Sequence, residues 1–448
     1  MALNASVVWR VRTDGVETNG GGYDAAVAGA GTDYSDQAAP QLSCTDLVST
    51  ASTTITSVIG GFTSAMVGNV LRLASATGSP VADSAGSRYL MITGYTDTNT
   101  ITVDKTSGTY TLGIGKVGGA FLHPRSLANG GTSTQPTLTS PLIAGNTVMV
   151  RGAGTDDPSS ADYTQTGWIQ FTSGNITAGQ IYFLGYNGRP FFSGNGLIFY
   201  NFNGHKWENM KFTTTSTSDG ALGSLSCGSL RTHIHDCYFD QNGQNMVGAK
   251  AQVVTDCKFV NTGSATAGTN TQAAIDAVNS GYNSIIYGCF IKGWRGDGIY
   301  VANMCTIRDN IVIDCKVRGI EVIDGTDGFP HSIIGNTING NTGSGIYLTV
   351  SGAIARTVIF NNIITDNGAY GIDCVVNTTA LNDRLIRGKF DYNNFGTGAT
   401  ANTSGARNNH SAGAHDVALD PQFTNTATDD YSVGTNMKAE GFPSAFPI

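Results

Sequence analysis

The sequence predicts an all-β fold, a single-stranded parallel β-helix (a solenoid) with a β-rich module at its N-terminal end and a cap at its C-terminal end. Three observations predict it. A phrase built on Gly-Ile recurs as "GDGIYVAN" (296–303), "RGIEVID" (318–324), "GSGIYLTV" (343–350) and "YGIDCVV" (370–376). A second phrase precedes each copy: "RDNIVIDC" (308–315), "IGNTINGN" (334–341) and "FNNIITDN" (360–367), with earlier versions "HDCYFDQN" (235–242), "TDCKFVNT" (255–262) and "YGCFIKGW" (287–294). Third, only 13% of the 448 residues are charged while 59 are Gly, a composition that suits turn-rich β structure better than helices with charged outer faces.

The second phrase defines a ladder position occupied by Cys237, Cys257, Cys289, Asn310, Asn336, Asn362 and then Asn394. Ile299, Ile320, Ile346 and Ile372 each follow their ladder residue by ten positions, whereas the step from coil to coil varies from 20 to 32. Length is therefore added in one loop of the repeat while the strands keep register, as stacked repeats require. A leucine-rich repeat, which also carries an Asn/Cys position, is the rival. It needs an L-x-x-L-x-L frame, and here the short apolar runs are β-branched or aromatic, alternate with period two and are separated by Gly/Asn/Asp turns. Asn at the ladder position satisfies backbone groups at a buried bend, and Cys fills the same slot as a small hydrophobe. The eight cysteines form no CxxC pairs and are expected as buried thiols.

The repeats resemble the right-handed parallel β-helices of the pectate-lyase-like superfamily over about residues 140–400. "LIAGNTVMVRGAG" (142–154) looks like an opening coil, and "DYNNFGTG" (391–398) with "DPQFTNTATDDYSV" (420–433) looks like a closing segment of polysaccharide-degrading β-helices. The domain expectation is an N-terminal cap with an inserted β module over 1–135, the β-helix over 136–400 and a C-terminal capping segment over 401–448. The Thr/Ser/Val-rich stretch between 43 and 125 is similar to small β modules of bacteriophage virion proteins.

In the Gly-Ile phrase, period two points Ile and the next-but-one residue inward and the residue between them outward. Stacking then gives an exposed row of Asp276, Tyr300, Glu321, Tyr347 and Asp373. With coils about 4.8 Å apart, alternate members lie about 10 Å apart. The row suits a sugar chain, with Tyr rings packing on sugar faces and carboxylates accepting hydroxyl hydrogens; a solvated β-face also carries such residues without a site. Asp276, Tyr300, Tyr347, Trp294, Arg295 and Arg318 are the expected carbohydrate-binding residues, and Glu321, Asp373 and Asp297 the candidates if catalysis occurs. Asp324, Asp327 and His331 lie on adjacent loops.

Other motifs carry less. His233 and His235 share a strand face without an identifiable third metal ligand, so no metal site is expected there. The acidic turn "DGTDG" (324–328) offers oxygens for Ca2+ but falls short of a full ligand set. No cofactor is otherwise expected. The formal charge of −8 argues against a nucleic-acid partner, and no stretch is long and apolar enough for membrane insertion. The Asn-Thr-Asp, paired Asp, Gly-His-Gly and Arg-Ile-Lys set of polygalacturonase-like enzymes is missing, as is the Arg-x-Pro-x-x-Arg signature of pectate lyases, so the resemblance does not bring an activity with it.

The resulting expectation is a virion-localised bacteriophage protein, of the tailspike, fibre or head-decoration type, showing its β-helix to a host surface glycan and assembling with other virion subunits, including as a homotrimer. It rests on the resemblance and on the lack of a readable secretion signal. A polysaccharide lyase or glycoside hydrolase, and a purely structural β-helix, are the alternatives.

Overall fold

A computed structural model describes residues 3, 5–74, 89–128, 130–131, 141–156, 161–165, 169–171, 180–194, 199–200, 204–214, 225–226, 232–241, 249–263, 273–277, 283–302, 304–324, 330–350, 357–376, 389–398, 401–408 and 412–433. The chain divides into two compact units, residues 1–193 with 199–211, and residues 194–198 with 212–448.

In the first unit, strand Val8–Val11 pairs in parallel with Thr147–Arg151, which pairs with Ile181–Tyr186, which pairs with His205–Glu208. The first strand of this stack thus precedes the second by more than 130 residues, and the chain between them builds a separate object. Strands Leu42–Thr50, Thr54–Thr56, Val70–Ala74, Tyr89–Asp97, Thr100–Val103 and Thr109–Val117 close into a barrel. Closure removes the open edges that six short strands would otherwise present. Leu47, Ile55, Phe62, Leu71, Leu73, Leu90, Ile92 and Ile101 fill its interior. Phe183 and Trp207 stack at 4.0 Å between centroids, a β-helix core of aromatic rungs.

The second unit is a parallel β-helix of three sheets. The first sheet runs from His233–His235 through Val253–Thr255, Ser284–Tyr287, Cys305–Arg308, His331–Ile334 and Val358–Phe360 to Lys389–Asp391. The second runs from Tyr238–Gln241 through Lys258–Val260, Phe290–Lys292, Ile311–Ile313 and Thr337–Asn339 to Ile363–Thr365. The third includes Ile275–Asp276, Ile299–Ala302, Ile320–Asp324, Ile346–Val350, Tyr370–Val376 and Gly405–Asn408. Pairing is parallel and in register from coil to coil, for instance Ile299 with Ile320, Ile320 with Ile346 and Ile346 with Ile372.

Two side-chain ladders hold the bends. At the first, the Cys289 and Asn310 backbone N–H groups donate to Oδ1 of Asn310 (2.9 Å) and Asn336 (3.0 Å), and those of Asn336 and Asn362 to Oδ1 of Asn362 (2.9 Å) and Asn393 (3.1 Å). The rung after Asn362 is thus Asn393 and not the expected Asn394, whose own side chain bonds Leu419 instead. The residue before each rung turns through the left-handed region: Asp236, Asp256, Asp309 and Asn361 have φ of 47°, 53°, 54° and 57°. Asp and Asn tolerate that conformation because their short polar side chains bond locally, which explains the recurring Asp-Cys, Asp-Asn and Asn-Asn pairs. The second ladder, five residues on, was not foreseen: the Cys315, Asn341 and Asn367 N–H groups donate to Oδ1 of Asn341, Asn367 and Asn402. It also explains the Gly of the Gly-Ile phrase. A Cβ on Gly319 would stand 2.6 Å from the Gly345 carbonyl oxygen and 3.0 Å from the Asn341 amide. Cys44, Cys237, Cys257, Cys289, Cys305, Cys315 and Cys374 are buried free thiols.

In the second sheet the strands Ile311–Ile313 and Ile363–Thr365 are buried on both faces. The segment around 417–433 covers its outer face: Tyr431 packs on Phe290, Ile311 and Ile313, and Val433 on Ile363.

Candidate functional site

Each coil of the third sheet places one residue outward between two buried apolar ones, and register aligns them. Asp276 pairs with Tyr300, Tyr300 with Glu321, Glu321 with Tyr347, and Tyr347 with Asp373. The row exists as the alternation implied, but its expected exposure does not: Asp276 is 8% and Glu321 2% exposed, while the two tyrosines and Asp373 are half-buried. At Glu321 the turn preceding the strand supplies Arg318 as cover. Asp297 and Arg318 both stand two residues before the buried Ile of their coil, so they occupy equivalent positions on neighbouring coils.

Arg318 is the centre of this cluster. Its backbone N–H donates to Asp297 Oδ1 (2.9 Å), and its Nη1 lies 2.7 Å from Glu321 Oε1. That last contact is an ion pair off the N–H axis, since Nη1 makes no aligned hydrogen bond. The guanidinium then lies over the Tyr347 ring, 3.7 Å from its centroid. Asp297 is fully buried, and burial, with the neighbouring Glu321 carboxyl second, raises its pKa well above the ordinary carboxylate range. Oδ2 of Asp297 and Oε2 of Glu321 are both buried without a hydrogen-bond partner. Tyr300 is pushed up to about 12, first by burial and then by the Glu321 charge. Asp373 accepts from Asn408 Nδ2 (2.9 Å) and Ser344 Oγ (3.3 Å).

The structure does not bring every expected residue to this row. Trp294 is 2% exposed and meets the Phe259 ring edge-on at 6.1 Å, so it is a core residue with no face for a sugar. Arg295, 2% exposed, is likewise covered. His331 lies on the first sheet, buried, with Nδ1 3.2 Å from the Cys305 thiol, and burial lowers it to about 4. The Asp324 side chain, Asp327 and most of the acidic turn lie outside the described residues.

A family described as periplasmic copper-binding protein (NosD) matches residues 174–411, more than half of the chain. The chain belongs to the NosD family. Its fold is the right-handed parallel β-helix of that family. The periplasmic description overturns the virion localisation expected from the sequence and points to the bacterial periplasm. That expectation leaned on the resemblance to virion β modules, which carries a fold and not a compartment. No curated protein matches. Among solved structures the periplasmic alginate epimerase AlgG is similar at 12% identity and a TM-score of 0.27, covering 62% of this chain and 76% of that one, and a point variant of AlgG at 11% identity and 0.23.

The NosD family description raises copper, and the described residues do not fit it. Among them no three His, Cys, Asp or Glu side chains gather as a metal would need. His233 and His235 both bond the Thr255 hydroxyl, at 2.9 and 3.0 Å, and His235 also pairs with Asp256 at 3.3 Å. Cys305 and His331 are only a pair of donors in a dry core. Among the described residues no helix is long and apolar enough to cross a membrane.

Proposed function

We propose that this NosD-family chain is a periplasmic β-helix protein that binds a polysaccharide along its third sheet. A polysaccharide-related or structural role fits a β-helix of this family, and the observation that favours the former is the Arg318–Tyr347 stack, fixed from beneath by Glu321 and flanked in register by Tyr300 and Asp373. A guanidinium pinned on an aromatic ring is a rigid donor set beside a flat apolar face, the pairing that orients sugar hydroxyls. Arg318 is only 22% exposed, so its position costs little further ordering on binding. Asp276 lies one coil beyond Tyr300 and extends the row. Asp297 and Glu321 are positioning residues in this reading. They are buried, and they hold Arg318 from two sides.

A lyase or hydrolase is the second reading, and the buried Asp297 carboxyl, raised above the ordinary carboxylate range near Glu321, is what favours it. One experiment addresses both. Titrating the full chain with a panel of neutral and acidic bacterial polysaccharides is expected to give binding that falls about tenfold in Arg318→Ala and in Tyr347→Ala, the loss of one charged or stacked contact. Equal binding by both variants would remove the third sheet from recognition. Chain shortening, with or without the ultraviolet absorbance of unsaturated ends, would turn the binding protein into a lyase or a hydrolase.

A further inference from the structure

A second site lies on the opposite side of the same coil corner, on the second sheet. A pocket of about 530 Å3 is lined by Tyr238, Lys258, Lys292, Lys316, Asp314 and Asp429, together with the Asn261–Gly263 turn. Its volume falls within the range of small-ligand pockets. Three ammonium groups converge on it in a chain whose formal charge is −8. Register explains the convergence: Tyr238 pairs with Lys258 and Val260 with Lys292, so the lysines project from successive coils, and Lys316 follows on the next turn.

The charges in the pocket are not balanced. Lys292 is paired with Asp429, which reaches it from the segment that covers the second sheet. Asp314 is raised above the usual carboxylate range by burial, which weakens it as a counter-charge. Among the described residues Lys258 and Lys316 have no ion-pair partner, and Lys258 sits over the Tyr238 and Phe290 rings at 5.9 and 5.5 Å. An ammonium held over two rings beside an open volume is aimed and not yet neutralised. The Asp429 carboxylate on Lys292 shows the kind of group this wall accepts. It comes from a left-handed turn residue, φ 61°, at the end of the short turn Thr426–Thr428, and a ligand anion can take its place without unfolding a strand.

We propose that this pocket binds an anionic sugar, its carboxylate or phosphate held by Lys258 and Lys316 and its ring set against Tyr238, with Asp429 as the internal competitor for Lys292. The site does not depend on the third-sheet reading, and none of its residues belongs to the Arg318 cluster.

The test is calorimetric titration of the full chain with a uronic-acid trisaccharide and with glucose-6-phosphate, against maltotriose as the uncharged control. At least one anionic probe is expected to bind and maltotriose not to, and the probe that binds tells carboxylate from phosphate. Lys258→Gln/Lys316→Gln is expected to weaken that binding by about tenfold or more, because two charge-assisted contacts are lost. Asp429→Asn is expected to strengthen it, an outcome that a misfolded variant would not give. Binding of neither anionic probe, or equal binding by the double lysine variant, or no gain in Asp429→Asn, overturns the proposal.

Discussion

Replacing Asn336 by Ala removes one rung of the first ladder, and the structure allows its cost to be worked out. Asn336 is 1% exposed. Its Oδ1 accepts from the Asn310 N–H (3.0 Å) and Nδ2 (2.9 Å), and its Nδ2 donates to the carbonyls of Ile307 (3.0 Å) and Ile334 (3.2 Å) and to Asn362 Oδ1 (3.0 Å). Three of those partners keep another bond after truncation. Asn310 Nδ2 still reaches the Ile286 carbonyl, the Ile334 carbonyl still accepts from Asp309, and Asn362 Oδ1 still accepts from the backbone of residue 336. The Asn310 N–H is left without its acceptor in a dry bend, which costs about 1–3 kcal/mol, and the weakened remainder adds about 1–2 kcal/mol. The expected loss is therefore about 2–5 kcal/mol. Asn336→Cys is expected to lose only about half as much, because a thiol can accept at this position, as Cys257 Sγ does from the Cys237 N–H at 3.4 Å. Solenoids unfold by segments, so the assay is amide hydrogen exchange on peptides spanning 305–367 alongside urea unfolding. If Ala and Cys cost the same, or both cost less than about 1 kcal/mol, the amide ladder is not what holds the bend.

Asp297→Asn is expected to remove a pH dependence of stability. The native pKa of Asp297 lies above its unfolded value of about 3.9, so its contribution is fully present below that pH and is lost as pH rises toward the native value, at up to about 1.4 kcal/mol per pH unit. Urea midpoints from pH 4 to 8 should fall for the parent chain and stay flatter for Asp297→Asn. Tyr431→Ala should cost about 3 kcal/mol and raise binding of a hydrophobic dye, since it uncovers Phe290, Ile311 and Ile313. Gly319→Ala should destabilise the third sheet more than Gly398→Ala does, although Gly398 has the positive φ, because only Gly319 has backbone 2.6 Å from a new Cβ; thermal melts of the two variants compare them.

Much of the fold was legible because a β-helix repeats. The locked spacing between the Cys/Asn rung and the Gly-Ile strand fixed which residues stack, and the Ile299, Ile320, Ile346, Ile372 register follows it without a slip. Asn393 was missed because Asn393 and Asn394 both fit the local pattern, and only the backbone decides which amide points inward. The second ladder was missed because Asn341, Asn367 and Asn402 sit in turns that read as ordinary polar loops; their fixed five-residue offset from the first ladder, in Asn336–Asn341 and Asn362–Asn367, was the signal.

The sequence by itself determined what depends on period: the strands, the turns between them, the inward and outward sides, and the order of residues along the outer row. Tertiary structure alone decided what depends on cover. Period two says that Glu321 and Asp276 face away from the core, yet not that a preceding turn or a neighbouring coil closes over them, so a row expected in solvent became a buried carboxyl pair beneath Arg318. The same holds for the second sheet, whose outer face is covered by Tyr431 and Val433 from more than a hundred residues away for the coils that carry Phe290 and Ile311. Alternation is a local property of the backbone and survives any packing; burial, and with it the raised pKa of Asp297, is set by residues on other coils.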